Sequence, residues 1–322
     1  MQISKVNNTL QTENRNAKAK KVKKTPNVKE TLAALTAAQT VSAVASLPVG
    51  VAAVKGITGV SKNLTAEQVL AYRNAANSVL NSEKLKKAGV EIFDLAGQTA
   101  ETYKNPIKEF LSMQIDPMSS AIKGKNAFFN PAKNNVIINM DKLPTTVFHE
   151  MGHSHNYNYS KLGKFLQKSR NPGMLLASTL LLIAACSKEE KAEDGKELTK
   201  GQKIKNGIRK ALPAMSFSAM LPMVFEEGLA TFKGNKWAKQ VLSPELYKKV
   251  VKGNFAGLMS YVGTAAAIGF ATYAAIKIKD KLVDKKEAKL KAQQEEANAQ
   301  PNTIGKKQEL AKKPSVCYST TA

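Results

Sequence analysis

The residues best placed to do chemistry lie in one short stretch, Val147-Phe148-His149-Glu150-Met151-Gly152-His153. On a helix His149 and His153 sit one turn apart on the same face, so two neutral imidazole nitrogens can converge on one Zn²⁺ at about 2.0–2.1 Å. Glu150 lies beside them without being a ligand. Its carboxylate can take a proton from a water that the metal acidifies towards a pKa of about 7, and can pass it to a leaving amine. The chain has only three histidines and two of them fall on this H-E-x-x-H pattern, which argues against coincidence. The third, His155, would point away from the metal on a continuous helix and reads as a polar surface or supporting residue.

A hydrolytic zinc site needs a third protein ligand and an open fourth position. The metzincin arrangement needs glycine three residues and histidine six residues after the second histidine, where this chain has Asn156 and Tyr159. The better source is Val224-Phe225-Glu226-Glu227-Gly228-Leu229-Ala230-Thr231, in which an acidic pair opens a helix and a small residue follows on the same face. Glu226 and Glu227 are both candidates. An H-E-x-x-H helix, a hydrophobic helical hairpin and then an E-x-x-A helix resembles the membrane metallopeptidases of the CAAX-prenyl-protease and HtpX heat-shock type, within the gluzincin group. The resemblance spans roughly residues 136–238 and leaves both ends of the chain outside it. It implies a zinc-dependent endopeptidase with a peptide or protein substrate, His149, His153 and Glu227 as metal ligands, and Ala230 giving room against the zinc helix. In that family the E-x-x-A is commonly followed by Asp, where this chain has Thr231.

The elements that position these residues form a domain over 64–172. A helix starts at Thr65, which caps it, and turns an apolar face of Val69, Leu70, Tyr72, Ala75, Ala76, Val79 and Leu80. Val90–Leu95 reads as a short strand and Asn105–Met113 as a helix. Asn126–Asn130 and Asn135–Asn139 are β-prone runs around the turn Pro131-Ala132-Lys133-Asn134, so they form a hairpin. The chain then reaches Thr145, read as the cap of the His149 helix. A strand just before such a helix offers an edge on which an extended peptide can lie.

Four uncharged stretches bear on the membrane. Residues 31–54 are long enough to cross a bilayer but only mildly apolar and contain Pro48; Ala43-Val44-Ala45 also resembles a signal-cleavage site. Gly173–Ser187 and Ala211–Phe225 have 15 residues each, about 22 Å as helices, so they either form a membrane hairpin over 173–225 with flanking help or are buried core helices. Phe255–Ile276 has 22 uncharged residues followed at once by Lys277, Lys279 and Lys281, and is the best transmembrane candidate. Glu227 must reach the same metal as the histidines, so an even number of crossings has to separate them. The 188–210 connection, with eight basic and five acidic residues, reads as solvated; 226–253 carries the third-ligand helix.

Residues 1–30, with eight basic residues against two acids, and 277–322 read as basic and largely disordered tails, apart from a polar helix over Lys285–Ala299. A net charge of +24 raises nucleic acid or anionic lipid as partner. No nucleic-acid module with interleaved aromatics is present, so lipid is expected and nucleic acid is not. Cys186 and Cys317 supply neither a disulfide framework nor a Cys-based metal site. The expected fold is therefore α+β and mostly helical: a zincin-like domain with a small β-hairpin and several membrane helices. The expected function is zinc-dependent endopeptidase with Glu150 as base. The alternative is a membrane-anchored scaffold whose zinc site is structural or lost. Tyr157, Tyr159 and Tyr247 are candidates for stabilising an oxyanion, with no pattern to choose among them.

Overall fold

The computed structural model describes residues 28–103, 115–192 and 196–299. The helix expected over Asn105–Met113, residues 1–27 of the N-terminal tail and everything after 299 lie outside them. The described chain is mostly helical with one three-stranded sheet.

The sheet domain follows the sequence pattern closely. Helix α2 (Ala66–Leu80) starts at Thr65, whose hydroxyl accepts from Gln68 N while the Gln68 side chain accepts from Thr65 N, a reciprocal cap that satisfies two orphan donors. It buries Tyr72, Ala75, Ala76 and Val79, whereas Leu70, placed on the same face by the sequence, is exposed. After the short helix α3 (Glu83–Lys87) come strand β1 (Glu91–Asp94), helix α4 (Pro117–Ile122) and strands β2 (Phe128–Asn130) and β3 (Asn135–Ile138). The expected hairpin forms, with Asn134 in the left-handed region its turn requires. Strand β1 pairs parallel to β3, which becomes the central strand and is buried from Val136 to Ile138.

From β3 the chain passes through a single 3-10 turn, Pro144–Thr146, into α5 (Val147–Tyr159), which carries the two site histidines. Thr145 does not cap α5. Its hydroxyl is 2.8 Å from Ser61 Oγ at the end of α1 (Val28–Ser61), and Thr146, at the cap position, makes no side-chain cap bond. Burial of Leu143, Val147, Phe148 and Met151 in a core shared with α2 and β3 fixes the entry instead.

Several boundaries expected within the hydrophobic region shift. Helix α6 (Lys161–Cys186) runs through 172/173 with Pro172 inside it, so the apolar stretch from Gly173 continues a helix that begins among charges. Ala211–Phe225 is not one helix. It is divided at Met220 between α7 (Lys200–Ala219) and α8 (Leu221–Val241), with Pro222 in the first turn of α8, where its missing N–H costs nothing. The 188–210 connection is not wholly solvated: α7 already starts at Lys200, and Arg209 is buried against Asp280. Residues 277–299 are no tail, since α9 (Pro244–Ala299) continues unbroken from the apolar segment into the polar one. Residues 28–30 likewise belong to α1, which passes through Pro48 without a break.

Helix α8 lies against α5 at close range. A Cβ on Gly152 would sit 2.3 Å from the Ala230 carbonyl oxygen, and one on Gly234 would sit 2.5 Å from that of Phe148. In a free helix Gly152→Ala would stabilise by about 0.8–1.0 kcal/mol. Here the added methyl meets backbone, and overpacking of that kind costs about 1–3 kcal/mol. Gly152→Ala is therefore expected to lower the thermal unfolding midpoint of the purified protein; an unchanged or raised midpoint would show that the two helices are free to separate.

Candidate metal centre

Helix α5 sets His149 and His153 one turn apart, with their Nε2 atoms 3.0 Å from each other. Helix α8 brings Glu227 to the same point, its Oε2 3.1 Å from His149 Nε2 and 3.4 Å from His153 Nε2. Two imidazole nitrogens and one carboxylate oxygen thus form a triangle on which a metal ion can sit. No other group of three such donors is present among the described residues.

The opposite edge of each imidazole is held by a separate partner. His153 Nδ1 donates to Glu226 Oε1 at 2.7 Å, and His149 Nδ1 lies 3.2 Å from Thr231 Oγ1. Once His153 gives up its second proton, the Nδ1 proton shared with Glu226 leaves that ring's lone pair on Nε2, facing the triangle, and a His149 Nδ1 that donates to Thr231 Oγ1 does the same for the other ring. The acidic pair is therefore split between two places: Glu227 faces both Nε2 atoms, and Glu226 sits behind His153. Glu226 has no oxygen to spare, because Oε1 also accepts from Gln167 Nε2 at 3.0 Å and Oε2 accepts from Arg170 Nη1 at 3.1 Å. Gln167 Nε2 also donates to the His153 carbonyl at 3.1 Å. Arg170 spans the pair, with Nη2 2.8 Å from Glu227 Oε1, an ion pair without the alignment of a hydrogen bond. Its guanidinium lies 5.7 Å from the centre of the Tyr261 ring on α9.

Burial governs the protonation of this cluster. It pushes the Glu150 carboxyl above the ordinary range, and His149 and His153 offset that only in part. Burial alone would depress His153, but Glu227 and Glu226 outweigh it and hold the imidazole well above its usual value. Burial would raise Glu227, and His153 and His149 outweigh it to leave the carboxyl well below its usual value. Metal uptake must displace the His153 proton, so affinity rises with pH through the neutral range.

His155 lies away from the cluster, packed edge-on to Trp237 with ring centres 5.5 Å apart. Burial, with Lys233 and Lys84 nearby, pushes its pKa down to about 4, so it is neutral at pH 7. The three tyrosines considered from the sequence are engaged elsewhere: Tyr157 packs on Phe129, Tyr159 donates to the Lys84 carbonyl, and Tyr247 lies against the sheet-domain core. Arg170, Gln167 and Tyr261 carry no sequence signal that ties them to the histidines. Arg170 does stand out as the last charge before the uncharged run from Asn171 to Ser187. Thr231 is four residues past Glu227 and so on the same helix face, which is the one local clue to its role.

Losing the hydrogen-bond partner of a ligand histidine commonly costs about 10–100-fold in metal affinity. Thr231→Val is expected to weaken metal binding by an amount of that order in a chelator competition, with Thr231→Asp restoring it and His149→Ala or His153→Ala abolishing it. Wild-type affinity in Thr231→Val would show that the hydroxyl does not support His149. Comparison with family models, with curated proteins and with solved structures finds no match for this chain, so the geometry of the site itself carries the functional reading.

Proposed function

We propose that this chain is a zinc-dependent endopeptidase of the gluzincin kind, acting at a membrane. The observation that carries the reading is the donor triangle, with edges of 3.0, 3.1 and 3.4 Å, beside the buried Glu150. Donors arranged tetrahedrally about an ion at 2.0–2.1 Å are about 3.3–3.4 Å apart, close to what these three residues present. Two imidazoles and a carboxylate suit zinc, whereas calcium and magnesium favour all-oxygen sets. Charge agrees as well: the two positive charges of zinc and one of Arg170 balance the carboxylates of Glu150, Glu226 and Glu227.

When bound, zinc supplies Lewis acidity to a substrate carbonyl and to a water molecule. The chain's residues do the rest. Glu150 follows the first ligand histidine directly and is close enough for the charges of His149, His153 and Glu227 to act on it. Its raised pKa suits a group that takes a proton from water and then delivers it to the departing amine. Glu226 and Thr231 hold the imidazoles in the tautomer that leaves Nε2 free. Arg170 holds Glu227 from behind, so only one of its oxygens faces the histidines.

Glu150→Gln keeps the side chain's size while removing the base. Zinc content is expected to stay at the wild-type level while hydrolysis of a broad peptide library falls by at least about 10²–10⁴-fold, the range for loss of general acid–base catalysis. Full activity in Glu150→Gln would refute the mechanism. A wild type that holds zinc but cleaves no peptide would point to a membrane scaffold with a structural metal.

A further inference from the structure

The four uncharged stretches, residues 31–54, 171–187, 211–225 and 253–276, lie side by side. Helix α1 runs antiparallel to α9, with Thr31 at Lys279, Val49 at Gly263 and Gly56 at Ala256. Helix α6 joins the same bundle, with Ala177 against Met220 and Ala265, and Leu181 and Ala184 near Leu212 and Ala271. Ser216 on α7 meets Thr272 on α9 through a 3.0 Å hydrogen bond.

The uncharged zone ends at a layer of charge on both sides. At one rim Arg170 spans Glu226 and Glu227. At the other, Arg209 pairs twice with Asp280, at 3.0 and 2.7 Å, and donates to Ser187 Oγ; Lys279 donates to Thr31 Oγ1, and Lys286 pairs with Glu30 at 2.9 Å. At 1.5 Å per residue the two rims are about 26 Å apart along α6 from Arg170 to Ser187, and about 28 Å along α9 from Tyr261 to Asp280. They are about 26 Å apart through α7 and α8 from Arg209 to Glu226, and about 30 Å along α1 from Thr31 to Val51. All four agree with a hydrocarbon core of about 30 Å.

Each helix turns large apolar side chains outward in this zone, among them Val44, Leu175, Ile183, Phe217, Phe270 and Tyr273. Only α1 and α9 are long and apolar enough to qualify as spans individually. Their apolar windows are 6% and 22% buried, whereas core helices of a soluble protein are mostly buried. The short stretches on α6 and α7–α8 reach the same height because they share the same two charged rims.

We infer that these helices form one four-pass belt seated in a lipid bilayer, with the metal cluster at one rim and both ends of the described chain on the opposite side. The inference rests on the membrane part of the proposed function and adds its topology. Helix α1 rises to the metal side, α6 descends, α7 and α8 return, and α9 descends again. Glu227 thereby comes back to the histidines after two crossings. A protein partner would cover one face of the bundle, whereas between the two rims exposed apolar groups lie on all four passes.

The test is cysteine mapping of the full chain in sealed membrane vesicles of known orientation, in a Cys186→Ser, Cys317→Ser background, with a membrane-impermeant maleimide. Lys29→Cys, Lys200→Cys and Lys285→Cys are expected to react from one side, Lys62→Cys and Lys133→Cys from the other, and Phe270→Cys from neither. Labelling of Lys133→Cys and Lys200→Cys from the same side, or release of the chain by alkaline carbonate, would overturn the topology. Zinc content and peptide hydrolysis are measured separately on the same preparations. A chain labelled as described but inactive refutes the peptidase reading alone, and an active chain released from the vesicles refutes the belt alone.

Discussion

The contact between α5 and α8 is the constraint on which the rest depends. Gly152 and Ala230 let the two backbones approach so closely that no larger side chain fits at Gly152, and Gly234 repeats the arrangement one turn further along. At this separation the side chains of His149, His153, Glu226, Glu227 and Thr231 span the gap directly, without water between them. The small residue in the E-x-x-A spacing is thus a packing requirement before it is a chemical one.

Close packing buries the site, and a buried site must balance its charge. Three carboxylates face one arginine and two imidazoles, and an unpaired carboxylate in low dielectric is costly. Without a cation the balance requires a protonated His153 and a Glu150 that retains its proton, in agreement with the upward direction of both pKa values. A divalent ion on the triangle removes both requirements. Arg170 has a part in either state, because it is the only arginine or lysine paired with Glu226 and Glu227 among the described ion pairs.

What could be read from the sequence was what depends on neighbours along the chain. The two histidines are a helical i,i+4 pair, the β2–β3 hairpin is announced by its turn, and Thr65 with Gln68 spells a helix cap. The roles of Gln167, Arg170 and Tyr261 were not legible, because Gln167 and Arg170 meet Glu226 from 59 and 56 residues away and Tyr261 on α9 reaches the site only through Arg170. Thr231 shows in the sequence as a departure from a family pattern and by its spacing of four from Glu227; in the structure its hydroxyl lies beside His149 Nδ1. The start of α6 was hidden because Lys161, Lys164, Lys168 and Arg170 interrupt the hydrophobic run that marks the rest of that helix. Thr145 has the residue type of a cap, but its buried hydroxyl is engaged with Ser61 and not with the helix end. Arg209 lies in a charged stretch that reads as solvated, because Asp280, its partner, is 71 residues away.

The central claim is that one metal ion is held jointly by His149, His153 and Glu227. X-ray absorption at the zinc edge of the zinc-loaded, detergent-solubilised protein tests it most directly, because it reports the ligands rather than the content. The expected spectrum shows a four-coordinate shell of nitrogen and oxygen at about 2.0–2.2 Å, with the outer-shell scattering of two imidazoles. Zinc without imidazole scattering, or a spectrum unchanged when both His149 and His153 are replaced by alanine, would contradict the claim.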